Sequence, residues 1–416
     1  MNYSGWGLVK GALGRHRGWS PAWRDADPKP RYDVIIIGGG GHGLATAYYL
    51  AANHGIRDVA VIEKGWLGSG NTGRNTTVVR SNYLFPQSAA LYDFSLRLFE
   101  GLSAELRFNI MFSQRGMVTV AHSLFDIERC RRWTQAMQLN GIDVEMLDRE
   151  GIRRLVPALD TSRAARFPVH GGFVQKRAGT ARHDAVVWGY ARGASKLGVD
   201  VVQNCHVTGF VRSGSGAVTG VETTRGTIRA DKTAMMVAGH SSQLASLAGM
   251  RLPITSYPLQ AFVTEPLKPV LNTVVLSLAT GTYLSQSDKG GLVIGGGLDR
   301  YASYAQRGSL ATARQVLGSV AEQFPSFGRV RLLRQWAGIV DIVPDSSPIL
   351  GESPIPGLFL NCGWGSGGFK AIPAGGWLLA HHLAKGAAHP IAQPFGLHRF
   401  ATGALVDEAS AAGIAH

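Results

Sequence analysis

Gly38, Gly40 and Gly43 satisfy the spacing G-x-G-x-x-G, and Glu63 follows about twenty residues beyond the turn. The chemistry of such a spacing is recognition of a pyrophosphate. The first glycine permits a tight turn, the second lets the backbone approach the phosphates, and the third lets a helix pack on a strand. Free N–H groups at the helix start then attract the negative charge. A carboxylate at Glu63 accepts both ribose hydroxyl hydrogens of an adenosine and disfavours a phosphorylated ribose, so NADP is disfavoured while FAD and NAD both stay open. A structural turn without a nucleotide is the plainer alternative. The context argues against it, because the buried-strand pattern YDVIII precedes the glycines and the helical run LATAYYLAA follows them.

Three further groups could do chemistry. Between Gly65 and Tyr83 the chain reads GWLGSGNTGRNTTVVRSNY, whose small residues allow close approach to a flat ring or a phosphate. Asn71, Asn75, Thr76 and Thr77 can orient such a group by hydrogen bonds, and Arg80 ends the stretch. The planar fork of Arg80 matches two carboxylate oxygens, although an isolated arginine is more often a surface charge, and pattern alone favours that reading. Gly363 to Lys370 (GWGSGGFK) repeats a strand, a small-residue turn and a helix start, so its N–H groups can stabilise developing negative charge. Lys370 gains nothing from the helix dipole there, which leaves both a functional and a surface role open. His183, in QKRAGTARHD with Arg177 and Arg182, can act as a nucleophile or covalent tether beside phosphate-pairing arginines. A histidine beside arginines usually has a depressed pKa and no special part, and from pattern alone that reading is preferred.

The elements that must position these groups follow from periodicity. A strand at 32–37, the glycine turn, a helix, and a strand at 59–62 ending in Glu63 make a βαβ unit. Helical segments are expected at 88–106, 124–139, 184–196, 241–248, 310–324 and 369–385, with strands at 116–121 and 199–202, a meander to about 239, and an antiparallel sheet over 254–297. Glycine supplies 54 of 416 residues, about 13% against a usual ~7%, so many positions need close backbone approach or positive φ. The net charge of +14 raises nucleic acid or an acidic partner, but the 42 basic residues are scattered and no DNA footprint forms. Cys130, Cys205 and Cys362 are far apart and read as reduced, as in a cytoplasmic protein. No apolar run is long enough to span a membrane. No metal-ligand spacing, no G-x-S-x-G elbow and no GxxxxGK[ST] loop occurs, so no metal is expected, and hydrolase and nucleoside triphosphatase chemistry are excluded. In the first 30 residues Tyr3, Trp6, Trp19 and Trp23 lie among basic residues. Five glycines there argue against a stable helix, and an arm packing on a neighbouring subunit is preferred to a membrane-surface helix or a loose tail.

At YDVIIIGGGGHGLATAYYLA, GNTGRNTTVVRSNY, AGTARHD, PLQAFV and NCGWGSGGFK, among other blocks over about residues 30 to 410, the chain strongly resembles the β subunits of heterotetrameric sarcosine oxidases. These stand in the wider family of flavin-dependent N-methyl amino acid oxidases. The resemblance implies a non-covalent FAD held through Gly38, Gly40, Gly41, His42, Gly43 and Glu63, with Asn71, Thr77 and Val79 in the following loop, Val207 on a later strand, and Gly365 to Gly368 near the flavin ring. It reverses the reading of His183, which matches a histidine carrying covalent FMN, with Arg182 a basic neighbour for its phosphate. Arg80 and Lys370 match a pair that binds the substrate carboxylate. The implied chemistry is oxidative demethylation of sarcosine or a similar amino acid, with hydride passing to FAD and electrons to FMN and oxygen. The implied partners are a large α subunit with NAD and folate sites and small γ and δ subunits. The fold implied is α/β, a Rossmann-like FAD-binding domain (31–95, 155–240 and 335–395) interleaved with an antiparallel-sheet substrate domain (96–154 and 241–334), between an arm (1–30) and a C-terminal tail (396–416). PVHGGFVQKRAG and SLATGTYLSQS depart from the family pattern, which leaves room for a substrate such as proline or dimethylglycine, or for a non-catalytic scaffold subunit.

Overall fold

The computed structural model describes residues 4–15, 17, 21–299 and 301–406. Arg31–Ile37 is the central strand of an eight-stranded sheet because Ile35 and Ile36 are shut off from water on both faces. Each such side chain contributes roughly 1.5–3 kcal/mol by burial. Gly226–Met235 pairs with it in parallel on one side and Val59–Ile62 on the other, followed outward by Leu358–Cys362 and Asp200–Val202. The strand order therefore changes direction at the end of the central strand, where open α/β sheets bind their ligands. Gly41–His54 and Ile372–Lys385 pack together over one face of this sheet, filling a core with Leu44, Leu50, Leu378 and Leu379.

The second sheet also has eight strands and crosses the chain several times, running from Leu332–Ile342 through Thr255–Pro266 and Gly291–Leu298 to Val144–Asp148. Its pairs are antiparallel except Val274–Ser277 with Met117–Ala121. Two strands, Gly171–Gln175 and most of Leu332–Ile342, fall inside stretches expected to belong to the nucleotide domain yet pair in this second sheet. Sequence pattern alone did not separate them, since a buried strand has the same apolar run in either sheet.

The amino-terminal segment departs from expectation. Gly5–Leu13 is a helix in spite of its glycines, started by Ser4, whose hydroxyl accepts the Gly7 N–H at 3.0 Å, and none of its residues is buried. Tyr3 and Trp19 lie outside the described residues. Beyond it Trp23 packs on the main core and Ala26 N–H donates to Val201, so the arm is stitched to the sheet edge. At the other end, Arg399 is buried and gives two hydrogen bonds to Asp345, at 2.8 and 2.9 Å, which docks residues of the expected tail against the body. Among the described residues no helix is long and apolar enough to cross a membrane.

Candidate functional site

The glycine turn leaves the central strand with Gly38 at φ +113°, where a side chain would sit 2.4 Å from the Met236 carbonyl. Gly43 packs behind it, and an added Cβ there would lie 2.0 Å from the Gly38 carbonyl. Gly40 differs, because a Cβ on it would meet only the Thr72 hydroxyl, at 3.3 Å. The open face of Gly40 borders a groove of about 910 Å³, which suits close approach of a pyrophosphate. Glu63, also on the groove wall, accepts the Gly39 and Gly65 N–H groups at 2.8 and 2.9 Å, which fix its carboxylate. These features fit an adenine dinucleotide.

Gly41, His42, Asn71, Val207, Gly365 and Gly368 also line this groove. The His42 ring stacks on Trp364 at 4.6 Å and donates through Nε2 to the Gly368 carbonyl at 2.9 Å, joining the first glycine turn to the last. Burial holds its pKa down at about 4, so it is neutral, and its Nδ1 has no partner among the described residues. Asn71 accepts the Ile339 N–H at 2.9 Å and donates to the Ile339 carbonyl, clamping the loop to the second sheet. Three residues expected to hold the FAD, Gly43, Thr77 and Val79, do not line the groove. Thr77 has φ +66° and its N–H donates to the Asn75 side chain, while Val79 is fully buried in a two-strand ribbon with Gly179.

A second cavity, of about 580 Å³, continues from the first, and Thr76, Tyr283, Ser366 and Phe369 border both. Arg80 and Lys370, almost 300 positions apart in the chain, both line it and both are buried. Arg80 is no surface charge. Its guanidinium donates to the Asn82 side chain at 2.8 Å and lies 4.5 Å from the centre of the Tyr83 ring, which itself stacks on Tyr92 at 3.7 Å. Lys370 Nζ donates to the Ser366 carbonyl at 3.0 Å. Its pKa is held well below the ordinary lysine value, first by desolvation and then by repulsion from Arg80. With Arg80 beside a Lys370 whose ammonium is destabilised, the cavity suits an anion that pairs with both.

His183 lines neither cavity. It is the first residue of the helix His183–Lys196, half-buried, and desolvation lowers its pKa so that the imidazole is neutral. Arg182 is engaged by Asp184 at 2.5 Å and Asp288 at 3.3 Å, and Arg177 by Glu100 and Asp93. A phosphate would have to compete with these carboxylates. Sequence reasoning missed Asp341, a buried carboxylate on the groove wall that accepts the Gly363 N–H at 2.6 Å. The available signal was a lone acid inside the apolar strand GIVDIV.

The profile of the FAD-dependent oxidoreductase family matches residues 33–382. Sarcosine oxidase subunit β of Rhizobium meliloti is 54% identical over 408 residues, 98% of each chain. The subunit of the same name from Rhodobacter capsulatus is 51% identical over 414 residues, 100% of this chain and 99% of that one. Among solved structures, an L-proline dehydrogenase from P. horikoshii superposes with a TM-score of 0.85 at 26% identity, over 91% of this chain and all of that one. A glycine oxidase from Geobacillus kaustophilus has the same fold, at a TM-score of 0.80, 24% identity, and 89% and 99% coverage. With the groove fitted to a dinucleotide and nearly the whole length matched, the chain belongs to the FAD-dependent oxidoreductases and, within them, to the sarcosine oxidase β subunits, flavin-dependent amine oxidoreductases of hetero-oligomeric enzymes.

Proposed function

We propose that this chain oxidises sarcosine or a similar small secondary or tertiary amino acid, held by its carboxylate between Arg80 and Lys370. The observation that carries the reading is the convergence of these two buried cations on a cavity that opens into the dinucleotide groove. FAD bound in the groove would supply the acceptor for the hydride leaving the carbon beside the amine nitrogen. The chain's own part is positional. Asn82 and Tyr83 fix the orientation of the Arg80 guanidinium, whose planar fork matches a carboxylate, and Lys370 gains its positive charge when a carboxylate pairs with it. The positive charge of Arg80 on the cavity wall favours the neutral, oxidisable form of the amine. Gly365, Ser366 and Gly368 bring the turn before the helix Ile372–Lys385 to the wall of the groove, where negative charge would develop on a reduced flavin. Proline and dimethylglycine remain competing substrates, the first favoured by the likeness to the proline dehydrogenase. Anaerobic flavin bleaching across sarcosine, dimethylglycine, N-methylproline and proline ranks them, and the reading fails if none bleaches it.

A covalent FMN on His183 Nδ1 or Nε2 belongs to the same proposal. A neutral, half-buried ring at a helix start supports it, whereas the carboxylates on Arg182 do not favour a phosphate there. Acid precipitation should leave part of the flavin on the protein, and His183→Ala should release that part. Retention after the substitution removes the tether. The α, γ and δ subunits are the proposed partners, and the uncovered helix Gly5–Leu13, with Trp6 75% and Leu13 80% exposed, supports a docking arm. A nine-residue helix does not hold in water without a covering surface. Deleting residues 4–15 should weaken assembly, and an unchanged oligomer would exclude the arm.

A further inference from the structure

Asp341 is the next-to-last residue of the strand Leu332–Ile342, is 1% exposed, and borders the larger cavity. Besides the Gly363 N–H, the Trp364 and Gly365 N–H groups are hydrogen-bonded to its carboxylate. These amides belong to a turn that favours glycine, with φ +71° at Gly363 and +52° at Gly365. The location of the turn decides what it serves. Gly365 lines the larger cavity, and Ser366 and Phe369 line both. A ring that takes hydride from an amine in the smaller cavity must lie where the two meet, so this turn borders the ring.

The groups around the carboxylate are few. The Cys362 thiol on the neighbouring strand is kept protonated by burial and by Asp341 itself, and the Ser241 hydroxyl faces that thiol. Arg399, the cation within electrostatic reach of Cys362, is committed to Asp345 from the following loop. We propose that Asp341 is a positioning residue for the flavin: its carboxylate gathers the N–H groups of the 363–365 turn and sets a negative charge beside the ring, so that its protonation and the flavin's reduction favour one another. Desolvation, against the pull of those amides, pushes the carboxyl up to about 6, so the charge changes within the working range of pH. Reduction by dithionite delivers two electrons per flavin, and above this pH a proton from solvent binds at the Asp341 carboxylate as the charge beside it grows.

The inference rests on FAD occupying the groove, and the absorbance of acid-releasable flavin in the purified holoenzyme checks that first. The test is the midpoint potential of this flavin from about pH 5 to about pH 8. The wild-type potential should rise steeply as the pH falls toward about 6, where reduction takes up the Asp341 proton, and bend there to a shallower slope, because below it the carboxyl is protonated in both redox states. Asp341→Asn should remove the bend and, near pH 8, shift the equilibrium at least about tenfold toward the reduced form, about 30 mV for a two-electron couple. A wild-type profile without a bend, or an Asp341→Asn profile that keeps it, overturns the inference. Asp341→Glu retains the charge and must retain a bend even if the asparagine variant loses flavin. A flavin-loaded glutamate variant without one overturns the inference as well.

Discussion

Lys370 shows at the scale of one residue how burial prepares a site. Its ammonium is destabilised by desolvation and by Arg80, so the free enzyme holds it with a lowered pKa. A bound carboxylate restores the charge by pairing with it. Binding is therefore linked to proton uptake once the pH exceeds the lowered value, and affinity falls by up to tenfold per pH unit from there upward. A simple carboxylate without an amine, such as propionate, reads this slope by calorimetry free of the substrate's own titration. Lys370→Met should abolish the slope, and an unchanged slope would place Lys370 outside the binding site. Little of this was legible from pattern. Arg80 read as a surface charge because the Asn82 and Tyr83 contacts that bury and orient it depend on a local turn, while its meeting with Lys370 depends on how the two sheets pack.

The glycine turn shows the opposite case at the scale of elements, since its strand, turn, helix and acid were plain in YDVIIIGGGGHG and in the position of Glu63. The structure adds a division of labour among the glycines that spacing does not carry. Gly40→Ala meets only a hydroxyl at 3.3 Å, so it should fold with wild-type Tm and lose bound flavin. Gly43→Ala drives a methyl to 2.0 Å from a carbonyl of the turn, so it should lower Tm, at a cost of about 1–3 kcal/mol or more. Thermal unfolding and flavin absorbance on both variants check the split, and equal losses of Tm would contradict it. The helix Gly5–Leu13 was misread because glycine content was weighed without its Ser4 cap. The two strands that belong to the second sheet were misplaced because the long-range pairing that assigns them leaves no local mark.

At the scale of the whole molecule, the two sheets meet along one path from the dinucleotide groove to the smaller cavity. Arg399 binds Asp345, the next acid after Asp341, so the C-terminal segment supports the loop that follows the site. Removing one member of a buried pair strands the other charge, and Arg399→Met should cost about 3–5 kcal/mol. Arg399 holds the folded-state pKa of Asp345 below its ordinary value, against the opposing effect of desolvation. The pair's stabilisation is therefore present above the unfolded-state carboxyl pKa of about 3.9 and is lost as pH falls below it. Wild type and variant should accordingly converge in Tm toward acid pH, and a constant difference at all pH values would contradict the pair's role.

The central claim is that Arg80 and Lys370 hold a substrate carboxylate beside the flavin, and anaerobic stopped-flow reduction tests it most directly. Sarcosine, or whichever amino acid of the panel is fastest, should bleach the flavin of the wild-type holoenzyme with a rate that saturates. Arg80→Ala should raise the half-saturating concentration at least about tenfold, the loss of a charge-assisted hydrogen bond worth roughly 1.5–3 kcal/mol. Unchanged half-saturation in a flavin-loaded Arg80→Ala enzyme would contradict the account.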